Sequence, residues 1–359
     1  MEGDPCKNHW FGVNCGIEMT DVLAITLEDN RLIGTIPPEL GVLPKLLQLD
    51  FGKNELEGPL PRLDNELFGT IPTTLGHLSR MTLLELSGNK LNGTIPTELG
   101  MLPRIKEITL RDNLLTGNVP TELESLFTLS HLNVGQNRLS GTIPTFFGSM
   151  SGLLSLYLYE NSFSGTIPPE LGNSSTLVEI YFDKNQLTGS IPTELAKNHR
   201  FNTISLSNNQ LTGSIPPELG AISNLQDLIF TNNSLSGTIP TELGRPVHNF
   251  FSGFEFGNNQ LTGTIPTELG NCQFLFTLAL YGNPLTGTIP SELQNTISNN
   301  PASLTELGLN ATSLSGIVPE WVCGIEFYDL RNSDWDCPLP TCCDSAHGNG
   351  LCEPCMDRE

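Results

Sequence analysis

The chain has 359 residues and a formal charge of −22, from 39 acidic and 17 basic residues. That balance argues against nucleic acid and anionic membrane surfaces as partners, because both are recognised through Lys and Arg that neutralise phosphate. Hydrophobic content is 38%, and no run of about 20 apolar residues encodes a membrane-spanning helix.

The opening, Met1-Glu-Gly-Asp-Pro-Cys6, lacks signal-peptide character. The nine cysteines nevertheless suit an oxidising compartment, so a truncated start or a mature fragment is expected. Cys6 and Cys15 bracket Trp10-Phe-Gly-Val-Asn14. They read as a disulfide-closed N-terminal cap over residues 1–21, with Trp10, Phe11 and Val13 covering the first rung of a repeat array.

From Val22 to residue 322 the sequence repeats itself. Asn89-Lys-Leu-Asn-Gly-Thr-Ile-Pro-Thr-Glu-Leu-Gly100 recurs as Asn209 to Gly220 and as Asn259 to Gly270. Such self-similarity marks a solenoid, in which each unit contacts only its neighbours. The recurring asparagines are Asn30, Asn54, Asn65, Asn89, Asn113, Asn137, Asn161, Asn185, Asn209, Asn233, Asn259 and Asn283, spaced by 24 residues throughout Asn65–Asn233. Apolar residues stand eight, five and three positions before each, as in Ile105, Ile108 and Leu110. The last two share one face of a short strand. The asparagine amide is expected to bond backbone of adjacent turns, stacking as a ladder. The glycine four residues on suits a positive-φ turn. The proline ends strand pairing and leads into a short helical turn, whose first turn holds a Glu.

The rhythm breaks in three places. Asn54 to Asn65 spans only 11 residues, which makes an irregular rung over 55–80. Arg245-Pro-Val-His-Asn249 adds two residues, and Gln294 to Ala302 is an outer-side insertion. In the last rung Thr312 takes the asparagine position. Residues 323–359 then crowd Cys323, Cys337, Cys342, Cys343, Cys352 and Cys355 into a C-terminal cap stapled by disulfides, with 15 possible connectivities. A zinc site on Cys352 and Cys355 is the rival reading, weakened by the lack of a second separated Cys-x-x-Cys. Cys272 reads as a semi-buried free thiol. No metal site or cofactor is expected.

The unit Leu-x-x-Leu-x-Leu-x-x-Asn-x-Leu-x-Gly-x-Ile-Pro-x-x-Leu-Gly resembles the plant-type leucine-rich repeat, and Asp4 to Cys15 resembles that family's N-terminal cap. The resemblance covers roughly residues 4–322. It implies an α/β repeat fold: a right-handed solenoid of about twelve repeats, with a parallel β-sheet on the concave face and short helical or irregular turns outside. It implies the ectodomain style of receptor kinases, receptor-like proteins and secreted inhibitor proteins. The tail with Cys342-Cys343 resembles the ends of such proteins in algae and other protists. An upstream signal peptide or downstream membrane span in the genomic locus would favour a receptor.

The six histidines form no ligand or triad spacing, and no phosphate loop or nucleophile elbow occurs, so an enzyme is not expected. Recognition is the positive reading. Residues two, four and six positions before each asparagine face away from the core. Most are small or polar, but the middle rungs carry Glu107, Arg111, His131, Tyr157, Tyr159, Glu179, Tyr181 and Asp183. Clustered exposed tyrosines anchor interfaces. They point to a peptide, protein or glycan ligand at an extracellular or cell-surface location, with a co-receptor as a further partner. The bland reading is tyrosines packing together as ordinary strand formers. Inhibition of a foreign enzyme is a second functional reading.

Two columns outside the strands are products of the repeat. The residue after the repeat glycine is Thr35, Thr70, Thr94, Thr142, Thr166, Ser190, Ser214, Thr238, Thr264 and Thr288, a hydroxyl column that raises an ice-binding or structural reading. Glu98, Glu122, Glu194 and their equivalents supply nine of the 39 acidic residues from one repeat position. Glycosylation acceptors stand at Asn92, Asn173, Asn232 and Asn310.

Overall fold

The computed structural model describes residues 3–56, 69–245, 251–298, 304–336, 339–343 and 352. The chain divides into two units, Met1–Asn185 and Gln186–Glu359. In the first, neighbouring sheet strands are Val13–Cys15, Val22–Thr26, Gln48–Asp50, Leu83–Glu85, Glu107–Thr109, His131–Asn133, Ser155–Tyr157 and Glu179–Tyr181. The first pair is antiparallel and the later ones are parallel. In the second unit Thr203–Ser205, Asp227–Ile229, Gly253–Glu255, Thr277–Ala279, Glu306–Gly308 and Phe327–Asp329 pair in the same parallel way.

Register puts like on like. Ile108 lies opposite Leu132, Leu132 opposite Leu156, and Leu156 opposite Ile180. The apolar positions therefore stack into continuous buried columns, and Ile105, Ile108 and Leu110 all belong to the core. This is how short strands, each burying little alone, form a stable core. Leaving the strand, the chain passes a proline in extended geometry (Pro96, φ −64°, ψ 134°) and enters a 3-10 turn, Thr97–Met101, with Glu98 in its first turn. The other rungs repeat this, for example Thr121–Ser125 and Pro217–Ala221.

The asparagines do what a buried turn requires, though not by bonding one another. From Asn89 to Asn185 each amide binds backbone of its own and the preceding rung, whereas the exposed Asn30 reaches only Glu28 O of its own turn. Asn137 Nδ2 donates to Val134 O (3.1 Å) and to Leu110 O (3.0 Å), and its Oδ1 accepts from Leu115 N (3.0 Å).

The repeat continues beyond Thr312. Strand Phe327–Asp329 pairs with Glu306–Gly308, and Ile325, Tyr328 and Leu330 are buried at eight, five and three positions before Ser333. Thr312 and Ser333 take the place of asparagine. Thr312 Oγ1 donates to Leu309 O (2.8 Å) and pairs with Ser333 Oγ (3.0 Å).

Disulfides join Cys6–Cys15, Cys323–Cys342 and Cys343–Cys352; Cys337 and Cys355 lie outside the described residues. Two side-chain expectations change. Phe11 does not cover the first rung but is 72% exposed, because the small cap has no interior to receive it. Cys272 is fully buried rather than semi-buried, and that burial pushes its thiol up to about 12. At the short interval Gln48–Asp50 pairs directly with Leu83–Glu85. Residues 57–68, with Asn65, lie outside the described residues, as do 246–250 and 299–303 of the two insertions.

Candidate functional site

The site grows from two backbone facts. Strand alternation turns positions two and four before the asparagine away from the core. The residue just before the asparagine then takes a left-handed conformation, as in Gln136 (φ 53°), Glu160 (φ 52°) and Lys184 (φ 52°). Its side chain joins the same surface. Non-glycine residues adopt this geometry rarely, and here it recurs rung after rung as part of the turn.

On this surface of the first unit lies a groove of about 380 Å³. Its aromatic walls are Tyr157, Tyr159 and Tyr181; Asn133, Glu160, Asp183 and Lys184 complete it. Each ring is positioned. Tyr157 and Tyr181 are register partners, with ring centroids 5.2 Å apart and planes tilted by 48°. Tyr157 donates its hydroxyl to Glu179 Oε1, which also accepts Ser155 Oγ at 2.7 Å. Tyr159 lies over Gly135 of the preceding rung, where a Cβ would stand 2.7 Å from the ring. The second unit repeats this arrangement, with Tyr281 over Gly257.

The electrostatics follow from these contacts. Burial, then the hydrogen bond and charge of Glu179, raise the Tyr157 hydroxyl well above its ordinary pKa, so it remains a donor at physiological pH. Glu160 is held below the usual carboxylate range, chiefly by the hydrogen bond from Lys184 and also by Gln136. Lys184 Nζ lies 2.8 Å from Glu160 Oε1, and Gln136 Nε2 donates to Oε2 at 3.2 Å. Arg111 Nε in turn donates to Gln136 Oε1 at 2.6 Å. A polar chain therefore runs along the edge of the face through Arg111, Gln136, Glu160 and Lys184.

Of the residues expected from sequence, the structure gathers Tyr157, Tyr159, Tyr181 and Asp183 into the groove. Glu179 stands beside them on the same face of its strand, outside the groove lining, and accepts from Ser155 and Tyr157. Arg111 is tied to the polar edge, and His131 is bonded through Nδ1 to Ser130 Oγ (2.9 Å). Glu107 is exposed on its strand outside the groove lining. Asn133, four positions before Asn137, stands where the strand pattern puts it and joins the groove; Glu160 and Lys184 belong to it although that pattern did not select them. Their signal would have been the residue immediately before each repeat asparagine. Among the described residues no group of three or more His, Cys, Asp or Glu is placed to hold a metal.

Glycosylation acceptors stand in contrasting settings. Asn173 is exposed and Asn310 half-buried. Asn92 Nδ2 is buried without a hydrogen-bond partner. Asn232 belongs to an amide ladder: it donates to Asn208 Oδ1 (2.9 Å) and accepts from Asn258 Nδ2 (2.7 Å).

Comparison with known proteins places these features in context. The Leucine Rich Repeat family profile matches residues 80–102, 128–150, 152–174, 200–222, 224–245 and 274–296. No curated protein matches the chain. Among solved structures it is similar to a plant peptide hormone receptor, RGFR1 in complex with RGF2: 33% identity over 87% of this chain and 52% of that one, TM-score 0.76. It is similar to the ectodomain of the Arabidopsis thaliana membrane receptor kinase GASSHO1/SCHENGEN3 in complex with CASPARIAN STRIP INTEGRITY FACTOR 2: 34% identity, 92% and 44% coverage, TM-score 0.76. The chain thus spans about half the length of these receptor structures. A plant ice-binding protein is also similar, at 26% identity over 84% of this chain and 85% of that one, TM-score 0.57.

Proposed function

Since the chain is a leucine-rich repeat protein of the plant type, we propose that it is an extracellular recognition protein that binds a peptide in the Tyr157–Tyr159–Tyr181 groove without catalysis. One observation carries this reading: three of the chain's five tyrosines meet in one groove, with two rings locked by contacts that hold them in place before any ligand arrives. Rigid aromatic walls bury much area at little entropy cost, and their hydroxyls add polar contacts. The similar plant peptide hormone receptor RGFR1, in complex with RGF2, supports a peptide as the ligand class.

The test separates binding from packing. Tyr157→Ala, Tyr159→Ala and Tyr181→Ala combined are expected to weaken binding of a selected random heptapeptide by about 2 kcal/mol or more, the size of an interface hot spot. The urea midpoint should move little, since the rings are half-buried rather than core. A urea midpoint that falls strongly while the still-folded variant binds as tightly as before would show that the tyrosines serve packing alone.

A second reading rests on a different surface and on the ice-binding protein matched over 85% of its length. Thr94, Thr142, Thr166, Thr238, Thr264 and Thr288 are exposed. The methyls of Thr94 and Thr142 face the next rung's glycine: a Cβ on Gly117 or Gly165 would stand 3.0 Å from the threonine Cγ2. Threonines held at a rung spacing of about 4.8 Å present a regular row of hydroxyls to water. If this surface binds ice, the purified chain slows ice recrystallisation and Thr142→Glu with Thr166→Glu abolishes the effect. Crystals that coarsen as they do in buffer remove the reading.

A further inference from the structure

We propose that the groove between the outer turns Thr97–Met101 and Thr121–Ser125 docks a cationic segment of a partner protein, with an apolar side chain seated between Met101 and Phe127 and Lys or Arg beside it. This surface belongs to the outer turns, and its reading does not rest on the tyrosine groove. Its volume of about 600 Å³ falls in the range of ligand clefts, about 300–1,000 Å³. The first ground is a departure from the repeat. Phe127 stands where other rungs place Pro44, Ser79, Pro103, Ser151 and Ser175. It is 71% exposed and Met101 is 62% exposed, while Leu123, Leu126 and Leu129 are buried and already fill the core of that rung. Two large apolar side chains lining one cleft make a patch of the kind that marks an interaction site. The cleft is also preformed. Ser125 Oγ lies 2.7 Å from both Gly100 O and Glu122 O, within reach to donate to either turn.

The second ground is charge. Glu98, Glu122 and Glu124 line the groove, and no Lys, Arg or His does. Glu98 Oε2 and Glu122 Oε2 accept from the hydroxyls of Thr97 (3.3 Å) and Thr121 (3.4 Å). Among the described residues none of the three carboxylates forms an ion pair. The basic residues closest along the chain, Arg104 and Lys106, lie outside the lining. Glu98 and Glu122 come from the repeat, but Glu124 replaces the glycine that closes other turns, as at Gly76, Gly100 and Gly148. An outer groove of the second unit shows the contrast: there the repeat's glutamates are accompanied by Lys197, His199 and Arg245, and Ala221 stands where Met101 does. The combination at Met101 and Phe127 selects the occupant. Anionic membranes and nucleic acid are repelled by the carboxylates. A second copy of the chain would bring its own charge of −22. A cationic protein segment with a bulky apolar side chain meets the adaptable Met101 and the Phe127 ring at its centre and the carboxylates at its rim.

The test uses the full chain and capped hexapeptides measured by isothermal titration: Ac-Lys-Arg-Leu-Leu-Arg-Lys-NH2, a version with serine for both leucines, and a version with glutamine for every basic residue. The parent peptide is expected to bind about tenfold more tightly than the serine version, the worth of one buried leucine. It should bind at least about threefold more tightly than the glutamine version, by a margin that shrinks as salt is raised. Phe127→Ser and, separately, Met101→Ser should each weaken the parent peptide at least about fivefold. Serine stands at both positions in other rungs and both side chains are exposed, so the urea midpoint should stay in place. Glu124→Gly restores the repeat's own residue and should weaken binding about twofold at low salt. The variant lacking Tyr157, Tyr159 and Tyr181 should bind the parent peptide unchanged, which separates a failure here from a failure of the tyrosine groove. Equal affinity for the leucine and serine peptides, binding that survives Phe127→Ser and Met101→Ser, or no saturable binding overturns the proposal. A urea midpoint that falls with Phe127→Ser also overturns it, because the ring would then serve the fold. Phe127-dependent dimers in sedimentation, or Phe127-dependent binding to phosphatidylserine vesicles, would put a second copy or a membrane in the groove and overturn the partner assignment.

Discussion

Replacing Asn113 by Ala is expected to cost about 3–4 kcal/mol, because it strips partners from several buried backbone groups at once. Asn113 is 6% exposed. Its Nδ2 donates to Leu86 O (2.9 Å), Leu110 O (3.1 Å) and Arg111 O (3.3 Å), and its Oδ1 accepts from Leu91 N (2.9 Å). Leu86 and Leu91 belong to the preceding rung, so one side chain closes its own turn and fastens it to its neighbour. Alanine fills less space and satisfies none of these groups. Threonine should cost less, since Thr312 serves the equivalent position with its hydroxyl on Leu309 O. Urea unfolding followed by circular dichroism reads the difference. A loss below about 1 kcal/mol, the worth of one ordinary hydrogen bond, would show that water replaces the amide.

Gly100→Val is expected to be nearly as damaging, by about 3 kcal/mol, for a steric reason. A Cβ at Gly100 would stand 2.4 Å from Glu122 O and 2.6 Å from its carbonyl carbon. These are backbone atoms of the next outer turn and cannot swing aside as a flexible side chain could. The same approach recurs at Gly76 against Glu98 O and at Gly220 against Glu242 O, each 2.3 Å from the built Cβ. The closing glycine of Leu-Gly is thus the point where successive outer turns come closest. A built-in control exists: Glu124 occupies the equivalent place in Thr121-Glu-Leu-Glu124 and is exposed. Glu124→Val should change stability by no more than about 0.5 kcal/mol, the ordinary range for a surface substitution. Equal effects at the two positions would contradict the packing account.

What could be read in the sequence was whatever the period forces. A 24-residue repeat with apolar residues at fixed offsets from an asparagine has one economical solution, stacked parallel strands, and Ile108, Leu132 and Leu156 occupy the columns that offset requires. The tyrosines were legible for the same reason: once the strand is fixed, alternation decides that Tyr157 and Tyr181 leave the core. Features set by torsion sign or by close approach were not legible. Nothing in Gln136, Glu160 or Lys184 as residue types announces a positive φ, yet that turn brings Glu160 and Lys184 into the groove and Gln136 into the polar edge beside it. The closing glycine looked like punctuation, whereas it is a backbone contact. The rung at Ser333 was hidden because threonine and serine replace the marker asparagine, although Ile325, Tyr328 and Leu330 keep the apolar offsets. Phe11 misled because an aromatic beside a disulfide suggests a core, and a cap this small has too little interior.

Amide hydrogen exchange tests the central claim most directly, comparing the chain alone with the chain bound to a heptapeptide selected on it from a random display library. Recognition in the tyrosine groove predicts added protection within 155–160 and 179–184, with none at the outer turn Thr193–Lys197. It also predicts that the selected peptide fails to protect the variant lacking Tyr157, Tyr159 and Tyr181. Protection confined to the outer turns, or undiminished in that variant, would contradict it.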